Sequence, residues 1–453
     1  MITPGFQSFL HESNWNDIPE PVREFARRCL LDLIGVMAAG SQTKLSELIC
    51  SHVKEHFSSA GKSASIMLDG AKVSPLGAAL ANGMMIDSID AHDGFKQAKG
   101  HIGCHLLPTL FAFYQAEGKR DGREFLTDLV IGYEIGARSA LALHASAPDY
   151  HTSGAWGAVT SAALGSRILG FDANKTRHAI GIGEYHGPRS QMMRCIDHPT
   201  MLKDGSGWGA MAGVSATYLA GSGFTGAPAI TVEGDEVAEF WQDLGSRWTI
   251  VEQYFKPYPV CRWAQPATEA ALTVQKLHKL SHEDIDHIEV FSFHEACRLA
   301  TWNPTDTEQA QYSLPFPVSA ALVFGTVGPK EISDPALQDE RVLRLANSMV
   351  LSEHEPYNEI FPHDRLAHVK VHLRNGDVLT SETHRASGDP ETPLSDEDIR
   401  EKFRWLAEPV IGRGRALQIE TVIDGLGEVT QLDDLLKLIT RSIDPADQSA
   451  AAE

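Results

Sequence analysis

The chain has no CxxC pair: its six cysteines (Cys29, Cys50, Cys104, Cys195, Cys261, Cys297) are scattered along it. That spacing offers neither a disulfide framework nor a structural zinc site, and it fits a reducing cytoplasm. No apolar run approaches the ~20 residues that span a bilayer. The opening MITPGFQSFLHESNW carries neither a basic n-region nor an apolar h-region, so no secretory signal is expected. Basic residues are few, 39 Lys and Arg against 60 Asp and Glu, for a net charge of −21. With no basic stripe or tail to offset it, this balance argues against nucleic acid and anionic membrane as partners. A small anionic substrate stays open, because a local group of Lys, Arg and His can reverse the potential in a cleft. GxGxxG, the P-loop and GxSxG are also missing, which leaves nucleotide binding and serine hydrolysis unsupported. There is no internal repeat and no low-complexity segment.

What remains is an ordinary globular composition, 43% hydrophobic and 22% charged, over 453 residues. That length calls for two domains or three. EPVREFARRCLLDLIGVMAAG (20–40) places Val22, Phe25, Ala26, Cys29, Leu30, Leu33 and Ile34 on one helical face. Further helices are expected at about 44–57, 121–144 and 151–170, the last rich in the small residues that let helices approach closely. The pattern shifts near FKPYPVCRW (255–263). IDHIEVFSF alternates like a strand, and HVKVHLRNGDVLTSETH reads as a hairpin around Asn375-Gly376, a dipeptide suited to a type I′ turn. PFPVSAALVFG and ALQDERVLRLANSMV read as helices. Ser395 can cap a returning helix whose first turn holds Asp396, Glu397 and Asp398. The expected fold is mainly α with a smaller α+β part. A helical domain is formed by 1–254 and 395–446, an α+β lid by 255–394, and a frayed tail by 447–453.

The densest chemistry lies in AALANGMMIDSIDAHDGFKQAKGHIGCHLLP (78–108), where Asp87, Asp90, His92, Asp93, His101 and His105 sit between two apolar helical runs. Buried carboxylates and imidazoles are costly unless paired, solvated or used in chemistry. His101 and His105 have the spacing of an HExxH zinc site, but Ile102 stands where the glutamate would be. No metal is therefore expected. YHTSG puts His151 just before a small-residue helix, where exposed amides favour an anion. Lys203 lies in glycine-rich MLKDGSGWG, where the backbone can approach a ligand closely. Lys256, Arg262 and Gln265 fall at the inferred domain boundary, and the planar fork of Arg262 matches a carboxylate.

Together these segments resemble the MmgE/PrpD family, which includes 2-methylcitrate dehydratase, cis-aconitate decarboxylase and iminodisuccinate epimerase. The resemblance runs nearly the length of the chain. RRCLLDLIGVMAAG is similar to the family's opening helix, and LANGMMIDSIDAHD to its acidic segment, with Asp90 at the first acidic position. GHIGCHLLP carries the family histidine on His101, YHTSGAWG on His151, and MLKDGSGWGAMAG the lysine on Lys203. FKPYPVCRW resembles the KPYP-C stretch and gives Lys256, Tyr258, Cys261 and Arg262. There are departures. His92 replaces a second aspartate, Gly94 a frequent threonine, and Ile102-Gly103 a Pro-Ser. Gln265 replaces an active-site histidine, and Phe316 a tyrosine.

The resemblance implies a helical domain built from both chain ends with an inserted α+β lid, no organic cofactor, and a homodimer. It implies a cofactor-independent lyase on a small di- or tricarboxylate, with a hydro-lyase of the 2-methylcitrate dehydratase type as the first reading. Asp90, His101 and His151 would transfer protons, with the base left open among them. Lys203, Lys256, Tyr258, Arg262 and Gln265 would hold substrate. Epimerase or racemase and decarboxylase activities are the alternatives within the family. Outside it stand a metal-dependent hydrolase on Asp90, Asp93, His101 and His105, and a non-catalytic carboxylate-binding protein.

Overall fold

The computed structural model describes residues 2–444, so the expected frayed tail at 447–453 lies outside the described residues. The chain is mainly helical with a smaller α+β part, built around two large hydrophobic cores. The first core draws on residues from Ile2 to Phe255 and again from Ile399 to Ile439. The second runs from Val260 to Val371 and takes in Met192, Cys195 and Ile196. No helix among the described residues is long and apolar enough to cross a membrane.

In the first core the helix Glu20–Gly40 buries an unbroken run from Cys29 to Gly40. The helix Pro75–Asp87 starts where the Ser74 side chain accepts from the Gly77 N–H, and it is buried on nearly every side. Small residues allow that burial. A β-carbon at Gly83 would stand 2.5 Å from Gly207 Cα, so the helix Ser206–Gly221 rests on it backbone to backbone. The chain's end returns as the helix Asp396–Ile411, capped by Ser395 and Asp398 in a reciprocal box. Phe403 of that helix packs on Gly35, and the buried Lys402 ammonium pairs with Asp32 at 2.5 Å.

The second core backs a five-stranded sheet. Ile285–Ser292 pairs parallel with Met349–Glu353 and antiparallel with Leu366–Leu373, which in turn pairs with Val378–Thr380 and His384–Arg385. Ile288, Val290, Val369 and Val371 point into the core, and the alternate residues stay partly exposed. Two local expectations change. Asn375 is not in the left-handed region; only Gly376 is (φ 94°), and Leu373 N–H donates to Asp377 O across a three-residue loop. The turn is therefore a bulged type rather than type I′. The run read as one helix, 336–350, instead ends its helix at Asn347 and enters the edge strand Met349–Glu353.

One short pairing decides where the chemistry sits. Gly94–Phe95, inside the acidic loop, pairs antiparallel with Gln253–Tyr254, just ahead of FKPYPVCRW. A two-residue strand leaves no periodic signal, yet it clamps the two richest segments of the sequence together.

Candidate active site

The loop between the helices Pro75–Asp87 and Gly103–Ala116 is buried along most of its length. Asp90 is its centre. Its Oδ1 accepts from the fully buried Lys256 ammonium, which also donates to Asp90 O at 3.2 Å. Nε2 of His101 and Nε2 of His92 stand 3.9 and 4.0 Å from the same carboxylate oxygen. The two imidazoles meet edge to face, with ring centres 4.3 Å apart. Gln311 ties in the next cation: its Oε1 accepts from Asp90 N–H at 2.9 Å and from the Lys203 ammonium. Lys203 Nζ also lies 4.7 Å from the centre of the Tyr312 ring. No carboxylate among the described residues is within ion-pair distance of Lys203.

The electrostatics follow from that packing. Burial alone favours the neutral acid at Asp90, but Lys256, His101 and Lys203 hold its carboxyl well below the usual range. Burial, with His92 and Lys256 alongside, pushes the His101 imidazole well below its ordinary value despite Asp90. His101 Nδ1 lies 2.6 Å from Asp93 O. A carbonyl oxygen can only accept, so Nδ1 carries the proton and Nε2 presents its lone pair toward Asp90. Behind the loop, burial pushes the Asp93 carboxyl up to about 7, although the Tyr133 hydroxyl donates to it. Burial and Asp87 likewise push Asp204 up to about 7, with Ser153 donating to it.

Asp90, His101, Lys203 and Lys256 thus stand in one connected group. His151 does not touch it. Its ring stacks on His144 at 6.3 Å, and its charged neighbours are Arg189 and Asp149. The YHTSG loop meets the group through Ser153, whose Oγ accepts from His101 N–H at 2.9 Å. Arg262 is engaged at both terminal nitrogens, and only its Nε lacks a partner among the described residues. It donates to Asp389 at 2.6 Å, to Gln265 Oε1 at 2.7 Å, and to the carbonyls of Ser387 and Ala386. Gln265 in turn donates to the carbonyls of Tyr258 and Val260, so it staples the KPYPVC turn. Tyr258 is half-buried, and only its carbonyl takes part in that staple. His105 is fully buried with no hydrogen bond on either ring nitrogen, and burial pushes it down to about 3.

The structure adds residues the motifs do not single out for a role. His92 sits at the heart of the group; it stood out as one of the ionisable residues of 78–108 and as a departure from a usual aspartate, but with no role attached. Gln311 gave no signal. Tyr254, on the paired strand, explains Gly94: a β-carbon there would meet the Tyr254 hydroxyl at 2.4 Å and His101 Nδ1 at 2.9 Å. Gly103 is forced similarly, with Asp93 Oδ1 2.5 Å from where a β-carbon would lie.

Asp90, His92 and His101 offer ligand atoms within 4.8 Å of one another, the spacing a metal ion could use. Lys256 already places a positive charge on the Asp90 oxygen they share. A second cation there would meet direct repulsion, so the group fits an anion better than a metal.

Comparison with known proteins extends over both cores. The MmgE/PrpD N-terminal domain model matches residues 5–241, and the MmgE/PrpD C-terminal domain model matches 258–427. The cis-aconitate decarboxylase of Mus musculus is 25% identical, over 97% of this chain and 93% of its own length. That of Aspergillus terreus is 24% identical over 94% and 93%. That of Homo sapiens is 23% identical over 100% and 96%. With both family patterns present in order around one buried acid–imidazole–lysine group, the chain belongs to the MmgE/PrpD family.

Proposed function

We propose that this protein is a lyase acting on a small di- or tricarboxylate, and that its chemistry is proton transfer at a carbon next to a carboxylate. The observation that carries the reading is the state of His101. It is a neutral imidazole with Nε2 free, facing an ionised Asp90, with the buried ammonium groups of Lys256 and Lys203 close by. A neutral base can take a proton, the neighbouring carboxylate stabilises the imidazolium formed, and the ammonium groups hold negative charge building on the substrate. Lys203 is the cation best placed for a substrate carboxylate, since a neutral amide and an aromatic face are what hold it. Residues 255–394 would act as a lid, because Lys256 and Gln311 from that part close onto the acidic loop around the group.

Two bond cleavages share this proton chemistry. The hydro-lyase reading expects loss of a β-hydroxyl, and the decarboxylase reading expects loss of CO2. The names of the relatives favour the second, so decarboxylation is the finer proposal, with an epimerase as the remaining alternative. The test is incubation of the purified protein in D2O with a panel of di- and tricarboxylates, followed by NMR and CO2 trapping. Trapped CO2 supports decarboxylation, an alkene without CO2 a hydro-lyase, and deuterium at an inverted centre an epimerase. No deuterium uptake and no turnover across the panel would overturn the enzyme reading.

The homodimer and the cytoplasm also remain proposals. Met201, Leu202, Trp208, Leu219 and Phe224 are exposed apolar residues on and beside the helix Ser206–Gly221, which supports self-association. All six cysteines are unpaired, which supports a reducing compartment.

A further inference from the structure

Arg262 was the guanidinium expected to receive a substrate carboxylate, yet Asp389, Gln265 and two carbonyls already occupy it. Another one is free. Arg365 is 2% exposed, and its Nε and Nη1 have no hydrogen-bond partner; only Nη2 donates, to Lys96 O at 3.2 Å. No carboxylate among the described residues is within ion-pair distance of it. The adjacent Asp364 accepts from the Arg365 backbone N–H and is gripped by Arg385. Asp389 is taken by Arg262, with Lys96 3.8 Å from its other oxygen. A buried, uncompensated guanidinium is costly to a folded chain unless something supplies the missing charge.

Its position says what would. The Arg365 Cζ lies 5.9 Å from the centre of the Tyr254 ring, and the His101 ring centre lies 6.3 Å from that same point. The Cys261 thiol feels both Asp90 and Arg365. Arg365 therefore shares the Tyr254 ring with His101 as a neighbour, within the reach of a polyfunctional acid whose reacting carbon is at His101. We propose that Arg365 binds a second, remote carboxylate of the substrate, and so selects di- and tricarboxylates over monocarboxylates. This rests on the carboxylate-lyase reading above. With Nε and Nη1 unpartnered and Nη2 donating one bond to Lys96 O, the second Nη2 hydrogen leaves one edge of the flat guanidinium, Nε with Nη2 or Nη1 with Nη2, to meet a carboxylate.

The experiment is calorimetric titration of the full-length wild type, Arg365→Lys, Arg365→Gln and Arg365→Met with propane-1,2,3-tricarboxylate, succinate and butyrate. The wild type should bind the tricarboxylate at least about tenfold more tightly than butyrate, the size of one charge-assisted contact. Arg365→Met and Arg365→Gln should lose that preference while binding butyrate within about twofold of wild type, and Arg365→Lys should recover part of it. Melting curves of the free proteins serve as the folding check. Since a costly uncompensated charge is removed and no partner charge is orphaned, Arg365→Gln should melt at or above the wild-type temperature. If the wild type binds neither the tricarboxylate nor succinate, the carboxylate reading itself falls. If it binds and the folded variants keep its preference, only the role of Arg365 falls. If all three variants fail to fold, Arg365 is structural and the proposal is overturned.

Discussion

Replacing Lys256 by methionine should change how the protein's stability depends on pH, and the size of the change can be worked out. Among the described residues the ammonium of Lys256 is the only cation in contact with Asp90 Oδ1; the imidazoles of His101 and His92 stand at 3.9 and 4.0 Å. Without it the buried carboxylate has two options. It can stay charged, which for a broken buried pair costs ~3–5 kcal/mol. It can instead take a proton, which costs about 1.36 kcal/mol for each pH unit above an ordinary value of ~3.9. That is ~1.5 kcal/mol at pH 5 and ~4 at pH 7, so protonation wins through most of this range. The folded variant then holds a proton that the unfolded chain has lost. A carboxyl raised in the folded state loses stability as pH rises from the unfolded value through the folded one. Relative to wild type, Lys256→Met should thus lose ~1.4 kcal/mol per pH unit between pH 5 and about 7. In wild type the depressed Asp90 adds no slope there, because its stabilisation is lost only below pH ~4. Urea unfolding followed by circular dichroism at half-unit steps measures the difference. Adding Asp90→Asn removes the titrating group and should return the variant to a curve parallel with wild type. A Lys256→Met curve already parallel to wild type, or a slope that survives Asp90→Asn, would refute the reasoning.

The same site yields three further expectations. His101→Gln should lower turnover by ~10²–10⁴-fold, whereas His105→Gln should stay within a few-fold, because His105 is a neutral core residue; equal losses in steady-state assays would remove the distinction. Gly94→Thr should damage the site by displacing Tyr254 and His101, at an overpacking cost of ~1–3 kcal/mol, and Tyr254→Ala in the same chain should recover part of that stability in melting curves. Asp93, pushed up to about 7 by burial, should make wild-type stability fall with rising pH between ~4 and 7. Asp93→Asn keeps an acceptor for Tyr133 and removes that proton, so it should gain up to ~4 kcal/mol on wild type across the interval; unchanged relative stability from pH 4 to 8 would contradict it.

What the sequence could and could not show divides along physical lines. Helix existence was legible because apolar periodicity and caps are local: Glu20–Gly40, Lys44–His56 and the box at Ser395 appear as read. Asp90 and His101 stood out because ionisable groups crowd a short stretch between apolar runs, and Lys256 because it falls where the hydrophobic pattern shifts. The pairing of Gly94–Phe95 with Gln253–Tyr254 joins residues about 160 positions apart through two residues each, a length at which no period exists to detect. Gln311 and Arg365 were invisible for a related reason. Each lies in a largely polar stretch, DTEQAQYS and PHDRLAH, which looks like surface until the chain around it is closed. Arg262 shows the converse. Its fork suited a carboxylate, but the sequence could not say that Asp389 would supply one.

The titration states came out opposite to the simplest expectation, and the reason lies in the order of forces. Burial raises a carboxyl and a neighbouring carboxylate raises an imidazole, which would bring Asp90 and His101 together near neutral pH. At Asp90 a contact ammonium outweighs burial, so the acid goes down. At His101 burial leads, with His92 and Lys256 acting in the same direction, so the imidazole goes down as well despite Asp90. Burial does bring Asp93 and Asp204 up to about 7, behind the loop, where no cation among the described residues is in contact with them. The inner group is thereby fixed as an ionised acid beside a neutral base across the physiological range, and no titration has to precede its use. An anionic substrate entering between Lys203 and His101 would favour the protonated imidazole. The charge of the substrate, rather than the pH of the solution, would then bring His101 within reach of a proton.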